Sequence, residues 1–398
     1  MKLVDLEINF NCNVRIAILI RGDRALGYST DDVALPIELA DFRESGLLAA
    51  SGSFRVALLI PMCGPAGIWA PSCISSAQVA AAELNRANGI GGRRVQLIMI
   101  DAAVEADEPI EETVNDLIEL NAIDAIVGMH LSAVRQRLSK VVRQRIPYIY
   151  TPLYEGGETT PGLFAIGETP QEQLAPALAE IQARYHPKSW ALIGNDYVWP
   201  RSSHSLAKSV LRTAGVELAM ECYVPFGLPN MSDLVDRVEA SGADAVLVSL
   251  VGQDAVNFNR LFGKRGLHRK AVRLSCALEE NGLMACGRSN LERMFSVSSY
   301  FGSISTEANA SFKERYYALH GDAAPALNSI GQSTYEGIHY LASLLRDFGA
   351  VWRMRTSQDL LPVIHSSGRS FARNDAAQRP DVYLARADGI NFCDFKVL

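Results

Sequence analysis

The apolar run Trp190–Ile193 closes on Gly194 and is followed at once by Asn195, Asp196, Tyr197, Trp199 and Pro200. Two large rings beside a carboxamide suit the wall of a small-molecule pocket, where apolar surface and a few fixed polar groups bind. Other strand ends repeat the theme. Trp69 follows the run 54–60, with Cys63 and Gly64 before it, and His130 and Ser132 follow 122–128. Tyr150, Thr151, Pro152, Leu153, Tyr154 and Glu155 close the run that begins at Ile146. Val251 and Gln253 follow 243–250, and Cys276 and Glu279 follow 272–275. In open parallel sheets ligands collect at the carboxyl ends of strands. Each residue alone has a plainer reading, such as an aromatic plug over the sheet edge, or an N-cap in the case of Ser132. Recurrence along one rim favours a shared pocket.

Motifs for catalysis are missing. GxxxxGK[ST], HExxH and GxSxG do not occur, and the histidines at 130, 186, 204, 268, 320, 339 and 365 lack metal-ligand spacing. The glycines of GIGG, 89 to 92, stand between a helix and a strand, the reverse of the dinucleotide fingerprint. No cofactor or metal is therefore expected. A Ser–His–Asp set assembled from distant segments stays open, which keeps an amide hydrolase as the alternative of another class. Net charge is −6 with scattered basic residues, unlike a nucleic-acid-binding face. No apolar run reaches the roughly 20 residues of a membrane helix. Seven cysteines without a CxxC pair fit a reducing compartment better than a disulfide framework. Residues 1–13 mix acids with apolar residues, and VRIAILI at 14–20 is followed by RGDR instead of a cleavage site. The chain as written reads as cytoplasmic, and as periplasmic if translation starts elsewhere.

The elements that must position these residues alternate. Strand-like FRVALLI, RRVQLIMID, AIDAIVG and IPYIYT are separated by helical stretches, and the same beat resumes from SWALIG to ADAVLVSLVG. Such alternation predicts parallel sheets covered by helices on both faces. Its length, 48% of the 398 residues being apolar, predicts two doubly wound α/β lobes joined by crossovers. The expected division is 54–169 plus 300–350 for lobe 1 and 170–299 plus 351–398 for lobe 2. Residues 1–53 form an extension without an assigned role. The helix after Trp199 is expected from about Ser202, and Gly89 should cap the helix before it.

AAAELNRANGIGGRRVQLIMIDA resembles the helix-to-strand signature of type I periplasmic binding proteins. AIDAIVGMHLSAVRQRLSKVV, YIYTPLYEGGE and GNDYVWPRSS resemble the short-chain amide and urea receptors within it. That branch includes a cytoplasmic sensor controlling an amidase operon through a bound antiterminator. The resemblance spans about 54–398 and implies a ligand held between two lobes that close on it. It implies contacts from Ser132 and Tyr150 on one side and Tyr197, Trp199 and Val251 on the other. Trp69 would cover the ligand, and Glu279 stands near the acid that amino acid receptors use for an ammonium group. Where the amide sensor has tyrosines this chain has His130 and Trp199. Where it has a Thr-Pro pair this chain has Pro152 and Leu153, and Ser275-Cys276-Ala277 replaces a threonine-rich loop. Fewer hydroxyls make acetamide a poor candidate, because an unpartnered buried polar group costs about 1–3 kcal/mol. The reading is a non-catalytic sensor of an amide-like or urea-like compound, the alternative a solute receptor of an ABC transporter for amides, urea or branched-chain amino acids. Its partners would be the ligand with either an antiterminator-type regulator or an ABC permease, and a homo-oligomer is compatible.

Overall fold

The computed structural model describes residues 28, 32–44, 52–104, 109–359, 369 and 380–398. The run VRIAILI, Cys12 and His365 lie outside the described residues. The chain divides into two units. Unit 1 holds residues 1–153, 157–167 and 305–368, and unit 2 holds 154–156, 168–304 and 369–398.

Unit 1 runs β1 (Ile37–Glu38), α1 (Leu39–Glu44), β2 (Phe54–Ile60), α2 (Ala70–Arg86), β3 (Val95–Asp101), α3 (Ile110–Glu119), β4 (Ala125–Gly128), α4 (Ser132–Val142), β5 (Tyr148–Tyr150) and β6 (Leu163–Ala165). These strands form one parallel sheet in the order β1-β3-β2-β4-β5-β6. β2 is buried at every position, as a parallel strand covered on both faces must be. α2 closes at Ala87, two residues before the glycine expected to cap it. Gly89 still finishes the turn: its φ is 72°, and its N–H donates to the Leu84 carbonyl at 2.7 Å. A Cβ there would lie 1.9 Å from the Arg93 oxygen, so the turn into β3 requires glycine.

Unit 2 runs α5 (Pro170–Tyr185), β7 (Ser189–Asn195), α6 (Val198–Thr213), β8 (Glu217–Val224), α7 (Met231–Ser241), β9 (Ala245–Ser249), α8 (Gly252–Lys264), β10 (Val272–Ser275), α9 (Glu280–Cys286) and β11 (Met294–Ser298). The chain then adds α10 (Glu307–His320) and α11 (Ser329–Phe348) to unit 1, and ends in unit 2 with β12 (Tyr383–Asp388) and β13 (Asn391–Val397). The unit 2 sheet has the order β13-β12-β11-β10-β9-β7-β8, parallel except that β12 runs antiparallel to both β11 and β13. Its two faces are legible along β7. Trp190 and Leu192 pack with Leu174 of α5 and Leu211 of α6, whereas Ala191 and Ile193 pack with Val235 of α7 and Phe258 of α8. Period-two alternation under two helical layers makes the sheet doubly wound.

Four expectations shift. Residues 32–44, expected as part of a separate extension, pack onto the unit 1 sheet: Ile37 and Glu38 pair with Ile98 and Met99, and Phe42 is wholly buried beneath the Arg55 guanidinium. α6 begins at Val198, four residues before Ser202, because Pro200 in a first turn needs no amide donor and leaves the helix intact. Ser132 is the first helical residue of α4 and Leu131 is the N-cap. Unit 1 also extends beyond residue 350. Arg355 accepts the Gly162 N–H at 2.8 Å and the Ser357 hydroxyl accepts the Ala165 N–H at 2.8 Å, tying that segment to β6.

α11 covers β4 and β5 through Gly337, where a Cβ would stand 2.4 Å from Thr151 Cγ2 and 3.1 Å from Val127 Cγ1. Gly337→Ala should overpack this contact at a cost of about 1–3 kcal/mol, read as a lower unfolding midpoint. An unchanged midpoint would mean that α11 stands off the sheet.

Candidate functional site

In unit 1 the carboxyl ends of β4 and β5 carry a connected polar cluster. His130 is buried, and its Nδ1 lies 3.2 Å from the Leu131 carbonyl, an acceptor only. Nδ1 therefore carries the proton, and Nε2 accepts from the Tyr148 hydroxyl at 2.8 Å. Burial pushes the imidazole pKa down to about 3, helped by Arg135 and Arg137 and opposed by the Leu131 contact, so the ring is neutral. Burial likewise raises the Tyr148 phenol. Gly128 makes this possible, since a Cβ there would lie 2.6 Å from His130 Nε2.

Tyr150 donates its proton to the His130 carbonyl at 2.8 Å. The hydroxyls of Ser132 and Tyr150 are 3.4 Å apart, and the committed phenol proton leaves Ser132 as donor in that pair. Arg135 completes the cluster. It donates from Nη1 to Ser132 Oγ at 3.4 Å and from Nε to Glu158 Oε2 at 3.0 Å, with its guanidinium 4.9 Å from the Tyr150 ring centroid. Arg135 and Glu158 went unnoticed in the sequence, although the i,i+3 spacing of Ser132 and Arg135 places them on one helix face. Pro152 is buried and Leu153 half-buried. The Pro152 carbonyl is where the chain approaches Gly167, whose Cβ would lie 2.1 Å away. Trp69 ends a 3₁₀ turn, Pro65–Trp69, and is buried, its carbonyl accepting the Ser72 hydroxyl at 2.9 Å.

In unit 2 the organising residue is Asn195, fully buried at the end of β7. Its Oδ1 accepts the Val251 N–H at 2.9 Å and its Nδ2 donates to Asp254 Oδ2 at 2.8 Å. The same carboxylate oxygen accepts the Gly227 N–H at 3.0 Å, so three loops meet here. Burial raises the Asp254 pKa, while those hydrogen bonds oppose the rise. Tyr197 and Trp199 flank this knot, their ring centroids 6.4 Å apart, with Phe226 5.2 Å from Tyr197. Trp199 is buried, Tyr197 half-buried, and Val251 is the buried N-cap of α8. Glu279 is the N-cap of α9, its carboxylate accepting the Asn281 N–H at 2.7 Å and the Gly282 N–H at 3.0 Å. The structure thus gives Glu279 a capping role within unit 2. Among the described residues no group of three His, Cys, Asp or Glu is arranged for a metal ion, and no helix is long and apolar enough to cross a membrane.

The sign of the histidine effect follows from its neutrality. The unfolded chain takes up a proton near pH 6.5, but folded His130 does so only near pH 3. Its contribution to stability is complete above pH 6.5 and declines as pH falls toward 3, by up to about 1.4 kcal/mol per pH unit. Buried His204 in unit 2, with its pKa lowered to about 4, behaves alike. His130→Gln keeps an acceptor for Tyr148 and should flatten the fall in unfolding midpoint between pH 6.5 and 4. An acid limb as steep as wild type would contradict this.

Comparison with known proteins adds family to geometry. The family model described as periplasmic binding protein matches residues 53–388. Leu/Ile/Val-binding protein homolog 7 of Brucella abortus (strain 2308) is 25% identical over 244 residues, which span 58% of this chain and 60% of that protein. The chain thus spans about three fifths of the length of such relatives. Among solved structures, the branched-chain amino acid substrate-binding protein LivJ of Streptococcus pneumoniae, in complex with isoleucine, superposes with a TM-score of 0.69 at 15% identity, covering 87% of this chain and 99% of that one. A solute-binding protein from R. palustris, in complex with 4-hydroxybenzoate, gives 0.67 at 15% identity, covering 87% and 96%. The α/β fold with two parallel-sheet lobes is that of the type I structures, and the chain belongs to the periplasmic binding protein family.

Proposed function

We propose that the chain is a non-catalytic solute receptor. It holds a small organic ligand by strand-end residues of both units, Ser132 and Tyr150 in one and Tyr197, Trp199 and Val251 in the other. The observation that carries this reading is the chemistry around Ser132. Its neighbours are a phenol and a guanidinium, and both nitrogens of His130 are turned to other partners, so the imidazole does not activate the hydroxyl. A hydroxyl without a base suits hydrogen bonding to a ligand more than attack on one. Membership of a family of binding proteins supports the same conclusion. The ligands of the similar proteins favour an aliphatic amino acid or an aromatic acid, delivered to an ABC permease. A cytoplasmic amide or urea sensor acting on a regulator is the second reading, favoured by the segments YIYTPLYEGGE and GNDYVWPRSS.

Calorimetry with L-isoleucine, 4-hydroxybenzoate, acetamide and urea separates these readings. Binding of either acid is expected, and binding confined to acetamide or urea would favour the sensor. Turnover of any of the four under excess would overturn the receptor reading. Tyr197→Ala should weaken the best ligand at least tenfold, about 1.4 kcal/mol, with the unfolding midpoint of the ligand-free protein close to wild type. Undiminished affinity would remove Tyr197 from the site.

A further inference from the structure

α3 and α4 pack against each other in unit 1, and an open groove of about 640 Å³ runs between them, with Val141 in its lining. Each helix buries one side, Val114 and Leu117 on α3 and Val134 and Leu138 on α4. The opposite side carries charge of one sign on each helix. α3 exposes Glu112 and Asp116, and α4 with its C-cap exposes Lys140 and Arg143. Two ion pairs already join the two walls, Arg137 with Glu111 and Arg145 with Glu119. Among the described residues the other four charges form no ion pair.

These unpaired charges match one another in spacing. Glu112 and Asp116 stand about 6 Å apart along their helix axis, and Lys140 and Arg143 about 4.5 Å along theirs. Both helices lead into parallel strands, β4 and β5, and so run in the same direction. A two-fold axis across the groove therefore sets α3 of one copy antiparallel to α4 of another. Glu112 in the first turn of α3 then meets Arg143 at the end of α4, and Asp116 meets Lys140. Each contact occurs twice, as an isologous interface requires. The backbone fixes where Arg143 stands: its φ is 45° and that of Gln144 is 63°, left-handed values that glycine adopts at less cost. Its Nε–H donates to the Lys140 carbonyl at 2.6 Å, tying the side chain to the last turn. Leu120, the C-cap of α3, is exposed and adds apolar surface beside the charges.

We propose that the α3–α4 groove is a self-association surface whose occupant is the same face of a second copy of this chain, held by Glu112–Arg143 and Asp116–Lys140 pairs between copies. A partner of one charge sign fits less well, because one wall would repel it. Exposed ion pairs are individually weak, so the dimer forms at high concentration and yields to salt. The groove lies toward the C-terminal end of α4, whereas Ser132 begins that helix, so this surface does not depend on the receptor reading.

The test is sedimentation velocity on the full chain across a range of concentrations. Wild type should pass from monomer toward dimer as concentration rises. Salt raised from about 0.05 to about 0.5 M should increase the dimer Kd at least tenfold, because screening shortens the reach of exposed charges. Reversing either wall, by Glu112→Lys with Asp116→Lys or by Lys140→Glu with Arg143→Glu, should also increase Kd at least tenfold. All four residues are exposed, so the unfolding midpoint of each variant should stay near that of wild type. An equimolar mixture of the two reversed chains should recover the dimer, since each reversed wall then meets its complement. A folding defect would not recover on mixing, and both variants remain net negative, so general attraction between them does not imitate the recovery. Wild type that stays monomeric at every concentration would overturn the inference and leave the groove to a partner of another kind. Association that neither reversal weakens would overturn it too, by placing the contact elsewhere. So would two reversals that each abolish association without recovery in the mixture, because α3 and α4 would then not be each other's partners.

Discussion

A parallel strand buried on both faces ends with peptide groups that the next strand no longer pairs, and water reaches them poorly. Those groups need partners, because an unsatisfied buried donor or acceptor costs about 1–3 kcal/mol. Most features of the two strand-end clusters answer this requirement. In unit 2, Asn195 takes the Val251 N–H at the start of α8 and fastens Asp254, which takes the Gly227 N–H. In unit 1 the Tyr150 phenol takes the His130 carbonyl, and the Thr151 hydroxyl donates to the Gly128 carbonyl at 3.3 Å. Loops fastened in this way hold their remaining side chains at fixed positions. Preorganisation of the rim is a by-product of terminating the sheet.

The same demand explains the buried charges behind the rim. Glu83 on α2 accepts from Arg315 of α10 at 2.7 Å and from the Tyr335 hydroxyl of α11 at 2.6 Å, with His339 Nε2 2.8 Å away. Burial alone would raise the Glu83 pKa, but the contacts with His339, Tyr335 and Arg315 outweigh it and the carboxyl is held below its usual range. One carboxylate thus joins three helices of unit 1, α2, α10 and α11. In unit 2, Glu168 accepts from the Ser299 hydroxyl and pairs with Arg369 at 3.4 Å, joining the point where the chain enters this unit to the point where it returns. Charge is used here to fasten crossings between segments distant in sequence, where an apolar contact would have less directional preference.

The legibility of the chain follows from this division of labour. Burial on both faces leaves continuous apolar runs, so Phe54–Ile60 and Ala245–Ser249 were readable as parallel strands, and the aromatics after Ile193 as strand-end residues. Three features were not readable, each for a physical reason. The edge strand Ile37–Glu38 has two residues, too few for a period to show. The start of α6 was hidden by Pro200, which reads as a breaker although it is harmless in a first turn. The passage beyond residue 350 depends on Arg355 and Ser357 meeting β6 from almost 200 positions away, and a single sequence carries no trace of such pairing. Partners such as Glu158 and Asp254 were missed likewise. A polar residue reads as surface until the donor that fixes it is known.

In the proposed receptor the clusters also bound what a ligand can gain. Ser132 and Tyr150 already have hydrogen-bonded partners, so a solute meeting them replaces contacts instead of adding them. The net value of an exchanged neutral hydrogen bond is about 1 kcal/mol, and about 1.5–3 kcal/mol when one partner is charged. Micromolar affinity needs about 8 kcal/mol. Two or three polar exchanges fall short of that figure, so burial of apolar ligand surface against rings such as Tyr197 and Trp199 must supply most of the rest. The polar groups then act mainly through difference: they cost little when a ligand matches them and several kcal/mol when it does not. In the proposed receptor the aromatic rings would therefore govern how tightly a solute is held, while the small polar groups at the strand ends would discriminate among solutes.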